Sequence, residues 1–117
     1  MSVSQTILYR LGAPDHHVFL KVIVGEAQTG ASVVRLGSAL LEETNDSEFT
    51  VELGLGSEVA GKKCFCTTVV TDINPQTNGT AVTWELHGGF TDYTKTCTLT
   101  LDQDGDSILY SAVIYLV

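Results

Sequence analysis

Basic residues are scarce: six Lys and Arg stand against fourteen Asp and Glu, a formal net charge of −8. Only Lys62 and Lys63 are adjacent, so the chain lacks the basic patch that a nucleic acid or an anionic membrane surface requires. Proline occurs twice, at Pro14 and Pro75, both where turns are expected, and no Pro-rich or low-complexity linker divides the chain. No apolar run approaches the ~20 residues that span a bilayer. The nearest, HVFLKVIV, is short and carries Lys21. These features point away from nucleic-acid and membrane partners. Three cysteines, an odd number, suit reduced thiols better than a disulfide framework. The start, MSVSQTILYRLG, shows no basic residue followed by a long apolar stretch, which leads to the expectation of a cytoplasmic protein, with a secreted mature form as the alternative. On that expectation the N-x-S/T tripeptides at Asn45 and Asn78 are chance matches to a glycosylation pattern.

What the chain does contain is β-favouring residues in short runs. At 117 residues and 44% hydrophobic content it has the size of one domain, residues 1–117, with a core of its own. Strands are expected over 4–10, 16–25, 31–36, 48–54, 63–73, 80–88, 93–101 and 107–117, separated by turn clusters such as GEAQTG and DINPQTNG. Residues 36–44, LGSALLEET, favour one helical turn. The expected fold is all-β: an antiparallel β-sandwich of seven to eight strands, with an open β-barrel as second choice. Alternation supports it. Phe49, Val51 and Leu53 oppose Glu48, Thr50 and Glu52; Val82, Trp84 and Leu86 oppose Thr83, Glu85 and His87. The second half reads as a four-stranded meander.

The closest approach to a chemical signature is KKCFCTTVV, with Cys64 and Cys66 one residue apart in a strand. If Trp84 shares a face with Phe65, Val69 and Ile73, both thiols lie opposite, beside Thr83, Glu85 and His87, and Cys97 lies on the Trp84 side. A one-residue slip reverses this. Cysteines two apart in a strand cannot bridge one another. A zinc or copper site from Cys64, Cys66 and His87 has too few ligands and the wrong spacing. Both thiols therefore read as small apolar fillers, and neither a metal nor any other cofactor is expected.

Other candidate sites are weaker. DQDGDS has acidic residues at 102, 104 and 106 in calcium-loop spacing, but Ser107 stands where that loop needs glycine, so the segment reads as an Asp-Gly hairpin turn without an ion. GLGSEVAGKK does not follow phosphate-loop spacing and reads as a plain loop. His16 and His17 point to opposite faces of a strand and cannot chelate one ion. No catalytic set assembles, so no enzymatic activity is expected. The loop HGGFTDY, residues 87–93, is the tentative ligand site. His87, Phe90, Asp92 and Tyr93 offer aromatic platforms beside a carboxylate and an imidazole, as a lectin-like carbohydrate-binding loop would. The competing expectation is that Phe90 plugs the end of the core while Tyr93 begins a strand. Trp84, in mid-strand, reads as core.

The last strand, SILYSAVIYLV, is apolar on both faces: Ile108, Tyr110, Ala112, Ile114 and Leu116 on one, Leu109, Val113, Tyr115 and Val117 on most of the other. It should lie centrally in its sheet, or have its second face covered. Cys64, Cys66 and Val70 make a neighbouring strand look equally two-faced. The function expected from this is non-catalytic: an interaction module acting through protein contacts and self-associating as a homo-oligomer.

Overall fold

The structure, a computed structural model, describes all 117 residues. Nine strands form two stacked sheets: β1 (Ser2–Tyr9), β2 (His17–Val24), β3 (Thr29–Leu36), β4 (Ala39–Thr44), β5 (Glu48–Leu55), β6 (Lys63–Thr71), β7 (Gly79–His87), β8 (Tyr93–Thr100) and β9 (Ser107–Leu116). One sheet has the order β1-β9-β6-β3-β4 and the other β5-β2-β7-β8. The all-β sandwich expected from alternation is the fold, with every pairing antiparallel except β1 against β9. No helix is long and apolar enough to cross a membrane.

Between the sheets lies one cluster of 22 buried residues, with Trp84, Tyr110, Leu20, Leu86, Ile108 and Ile114 among its largest. Trp84 and Tyr110 meet edge to face at 6.5 Å across the core, an arrangement that aromatic quadrupoles favour. Most polar atoms brought inside are matched, the exceptions being Asp72 Oδ1 and the Trp84 indole N–H. Ser32 and Thr68 hydroxyls bond at 2.8 Å, and the Tyr110 hydroxyl meets Thr80 Oγ1 at 2.7 Å while Thr80 donates to the Leu99 carbonyl at 2.6 Å. Gln28, 4% exposed, uses its whole amide: Nε2 donates to the carbonyls of Thr77 and Gly79, and Oε1 accepts from the N–H groups of Ile73 and Asn74. One side chain thereby holds the entire β6–β7 connection.

Several local expectations are overturned. The second half is not a meander: β7 and β8 pair as a hairpin, but β6 and β9 pair in the other sheet, so residues 72–78 and 101–106 each cross between sheets. DQDGDS is thus a sheet-switching connection and not a hairpin turn. Residues 39–44 form strand β4, not a helical turn. Gly37, at φ +59°, lets the chain reverse in two residues so that Leu36 pairs with Ala39. The one short helix, α1 (Gly56–Val59), sits in GLGSEVAGKK, where Glu58 accepts a hydrogen bond at 2.9 Å from the N–H of Leu55.

The thiol face is also reversed. Cys64 and Cys66 point into the core together with Thr68 and Val70, whereas Phe65 and Val69 point outward. The reason is that Trp84 belongs to the opposing sheet, so sharing its side of the sandwich requires the cysteine parity of β6. Thr83, Glu85 and His87 face solvent on the far side of that second sheet, out of reach of either thiol. Cys97 does lie on the Trp84 side, where its thiol donates to Gln5 Oε1 at 3.5 Å.

The central position expected for the last strand is observed, since β9 lies between β1 and β6.

Candidate functional site

Two regions collect the candidate residues: the 87–93 loop and the outer face of the five-stranded sheet.

At the loop, Gly88 has φ +92°, and a Cβ there would overlap the His17 carbonyl oxygen. A Cβ on Gly89 would come within 2.6 Å of the Tyr9 ring. The glycine pair therefore serves close approach of the loop to β1 and β2 more than it serves flexibility. The loop is sewn down by hydrogen bonds from Gly89 N–H to the Tyr9 hydroxyl at 2.8 Å and from Phe90 N–H to the Arg10 carbonyl at 2.9 Å. Burial raises the Tyr9 phenol above its ordinary pKa, and Asp92 adds to this against the Gly89 bond.

His87 sits between two carboxylates, Nε2 at 3.2 Å from Glu85 and Nδ1 at 3.2 Å from Asp92. Desolvation is the largest single influence and opposes protonation, but Asp92 and then Glu85 together outweigh it and raise the imidazole pKa above 6.5. The loop thus brings His87 and Asp92 together. Phe90 does not plug the core as the competing expectation had it: it is 64% exposed, with the Arg10 guanidinium 4.5 Å above its ring. Tyr93 begins β8 and packs against the core edge opposite Leu86.

Along the same outer surface runs a polar strip: Glu52 beside Phe19 beside His87, then Thr50, Lys21, Glu85 and Thr94. His17 pairs with Glu52 and lies over Phe19, with ring centroids 6.4 Å apart. Charges and threonine hydroxyls dominate this face, with Phe19 and Ile23 set among them.

The opposite face of the sandwich is different in kind. Pairing registers set its outward side chains in rows: Leu8, Tyr115 and Lys63; then Thr6, Val113, Phe65, Arg35 and Leu40; then the hydroxyl row Ser4, Ser111, Thr67, continued by Val33 and Glu43; then Ser2, Leu109, Val69 and Ala31. Leu8, Leu40, Phe65, Val69 and Leu109 are five of the nine large hydrophobic residues that the molecule exposes. Strands β1, β9, β6 and β3 place no carboxylate on this face, and edge strand β4 places Glu43 there. Phe65 and Val69 were not assigned outward by the sequence reading. The parity of their alternation carried the information, but the sheet to which Trp84 belongs was needed to read it.

A single cavity, of about 250 Å³, opens at one end of this face, lined by Thr29, Gly30, Ala31, Asn45, Val69 and Thr71. It exists because β4 pairs with β3 only over Ser32–Leu36, leaving the first residues of β3 uncovered on that side.

The thiols take no part in either region. Burial pushes Cys64 up to about 12, with Cys66 adding to it, and pushes Cys66 up to about 11 against the opposing pull of Trp84 and Thr68. All three cysteines are free, and at neutral pH the two buried ones stay protonated, the form that packs as a hydrophobe and ligates poorly. The Trp84 indole N–H finds no oxygen partner. Comparison of the chain with protein-family models, with curated proteins and with solved structures finds no match.

Proposed function

We propose that the protein is a non-catalytic interaction module whose working surface is the outer face of the five-stranded sheet, and that a second copy of the chain is its first partner. The observation that carries this is the coincidence, on one face, of most exposed large hydrophobics with an almost complete lack of carboxylates. A molecule of net charge −8 repels its own copies everywhere else. On this face two copies can approach with little opposing negative charge. Arg35 and Glu43 give the β3–β4 side one charge of each sign, which an isologous two-fold contact can pair reciprocally.

Size supports the reading. Five strands about 4.8 Å apart and on average about eight residues long at ~3.3 Å each give a face on the order of 600 Å² per copy. Doubled, that reaches the lower end of stable interfaces, about 1,200 Å² in total. Phe65, near the middle, is the aromatic anchor such an interface needs.

The test is light scattering across protein concentration for the wild type and for Val69→Glu and Phe65→Glu. Both side chains are substantially exposed, so the variants should fold. A dimer that each variant converts to monomer supports the proposal. A wild type that stays monomeric at about 100 μM, or a dimer that both variants leave intact, overturns it.

A second reading, a lectin-like carbohydrate site on the 87–93 loop, is favoured by the exposed Phe90 ring beside the His87–Asp92 pair. Sugars stack on exposed aromatic rings and bond to paired acid–base side chains. Its check is a glycan array: retention that Phe90→Ala abolishes supports it, and retention indifferent to Phe90→Ala removes it.

A further inference from the structure

On the outer face of the five-stranded sheet, a middle row of small polar side chains divides the apolar ones into two sets. Ser4, Ser111 and Thr67 form that row, continued by Val33 and by Glu43 on the edge strand. To one side stand Val113, Phe65, Arg35 and Leu40. To the other stand Leu109, Val69 and Ala31, with the cavity of about 250 Å³ opening beside Ala31 and Asn45. Each flanking row lies two residues, about 6.6 Å, from the middle one. Val113 shares a strand with Leu109, Phe65 with Val69, and Arg35 with Ala31.

We infer, given the self-association of this face proposed above, that the two-fold axis of the pair runs across the strands, along the Ser4–Ser111–Thr67 row. Leu40 of each copy then covers the cavity of the other.

Sheets packed face to face in the aligned manner keep their strands within about 30° of one another. An axis in the plane between them then runs either along the strands or across them. An axis along β6, the middle strand, sets β3 over β9 and β4 over β1. Arg35 would lie over Val113 and Glu43 over Ser4, each losing water without gaining an opposite charge, and Lys63 would lie over its own copy. Charges buried unpaired are strongly unfavourable.

An axis along the middle row instead keeps every strand over its own copy, running the opposite way. Phe65 lies over Val69 of the second copy and Val113 over Leu109, so apolar side chains meet apolar ones while the small hydroxyls meet on the axis. Arg35 of one copy stands one strand and one row from Glu43 of the other, roughly 8 Å measured in the plane of the sheet. The two carboxylates on the axis row are flanked by the two guanidiniums, so each charge gains an opposite neighbour from the second copy. The cavity faces the Arg35–Leu40 end of the other molecule, where Leu40, 50% exposed in the free chain, is the apolar group available to cover it.

The experiment measures dimer affinity by sedimentation for Arg35→Glu, for Glu43→Arg and for their equimolar mixture, at fixed ionic strength. Both positions are exposed, so both variants should fold. Expected are at least about tenfold weaker self-association of each variant alone and a heterodimer in the mixture within about threefold of wild-type affinity. Isotope-filtered NOEs should link the Leu40 methyl groups to the Ala31 methyl of the second copy. A dimer that Val69→Glu abolishes but neither charge reversal weakens, or a mixture no tighter than its components, overturns the axis and leaves the interface standing. Intermolecular NOEs from Ala31 to Leu109, the contact made by an axis along β6, have the same meaning. A wild type that stays monomeric at about 100 μM overturns the axis and the interface together.

Discussion

Replacing Gln28 by alanine removes one side chain and orphans four backbone groups at once. The carbonyls of Thr77 and Gly79 lose donors at 3.2 and 2.9 Å, and the N–H groups of Ile73 and Asn74 each lose an acceptor at 2.8 Å. A buried polar group left unpaired costs about 1–3 kcal/mol, with water entry recovering part of it. Ile73 is exposed, so water will reach its N–H most readily. Counting about 1 kcal/mol for each of the other three groups gives roughly 3 kcal/mol, a large share of the ~5–15 kcal/mol that holds a domain of this size together. With an unfolding entropy near 2.1 cal/mol/K per residue, that loss lowers Tm by about 12 °C. Urea unfolding monitored by Trp84 fluorescence measures it directly, and the slope should not change, because Gln28 alters the native state alone. A Gln28→Ala protein within about 0.5 kcal/mol of wild type would refute the reasoning.

Three further outcomes follow from the geometry. Because the folded-state pKa of His87 is raised above 6.5, its contribution to stability is complete below pH 6.5 and disappears as pH rises through the folded value; NMR titration should locate that value above 6.5 in the wild type and lower in Asp92→Asn. Glu26 and Ala27 both occupy the left-handed region, at φ +60° and +55°, where side-chain sterics cost each about 1 kcal/mol. Substituting Asn-Gly at 26–27 should raise stability by about 1 kcal/mol in thermal unfolding, and a loss would show that Glu26 makes a compensating contact. With Cys64 and Cys66 buried and protonated, a thiol-specific disulfide reagent at pH 8 should modify Cys97 first and the other two only on unfolding. Three equally fast thiols would contradict the core assignment.

The alternation of EFTVEL and AVTWELH was enough to place Val51, Leu53, Trp84 and Leu86 inside, because each strand has one apolar face and one wet face. It failed at β6. There Cys64, Cys66 and Val70 compete with Phe65 and Val69 for the interior, and both parities are apolar. Residue size does not decide such a contest. Sheet membership does: Trp84 lies on the inner face of the opposing sheet, the cysteine parity of β6 is the one that faces that sheet, and Phe65 is left outside. The same strand and β9 nonetheless pointed to an over-apolar surface from sequence; only the identity of its residues was exchanged. Strand β4 was misread since Ala, Leu and Glu favour a helix locally, whereas Gly37 at positive φ commits the chain to a reversal.

For the side-chain clusters, legibility depended on sequence distance. His87 and Asp92 are five residues apart in one loop, so their pairing could be read directly. Asp72, Asn78 and Asp104 meet only because both crossing connections leave their sheets at the same end of the sandwich. A reading that joined β8 to β9 by a hairpin had no means of bringing Asp104 to Asp72. Asp104-Gly105 does lie in a turn, but the pair carried no information about which sheet the chain would enter next, so the hairpin expected there is a crossing between sheets.

Self-association as proposed brings the five-stranded sheet face to face with its copy. An isotope-filtered NOE experiment on a mixture of labelled and unlabelled protein tests this most directly. The prediction is intermolecular NOEs linking the Phe65 ring to the methyl groups of Val69, Leu109 or Val113 of the second copy. Intermolecular NOEs arising instead from Phe19 and Ile23 on the four-stranded sheet, or none at millimolar concentration, would contradict it.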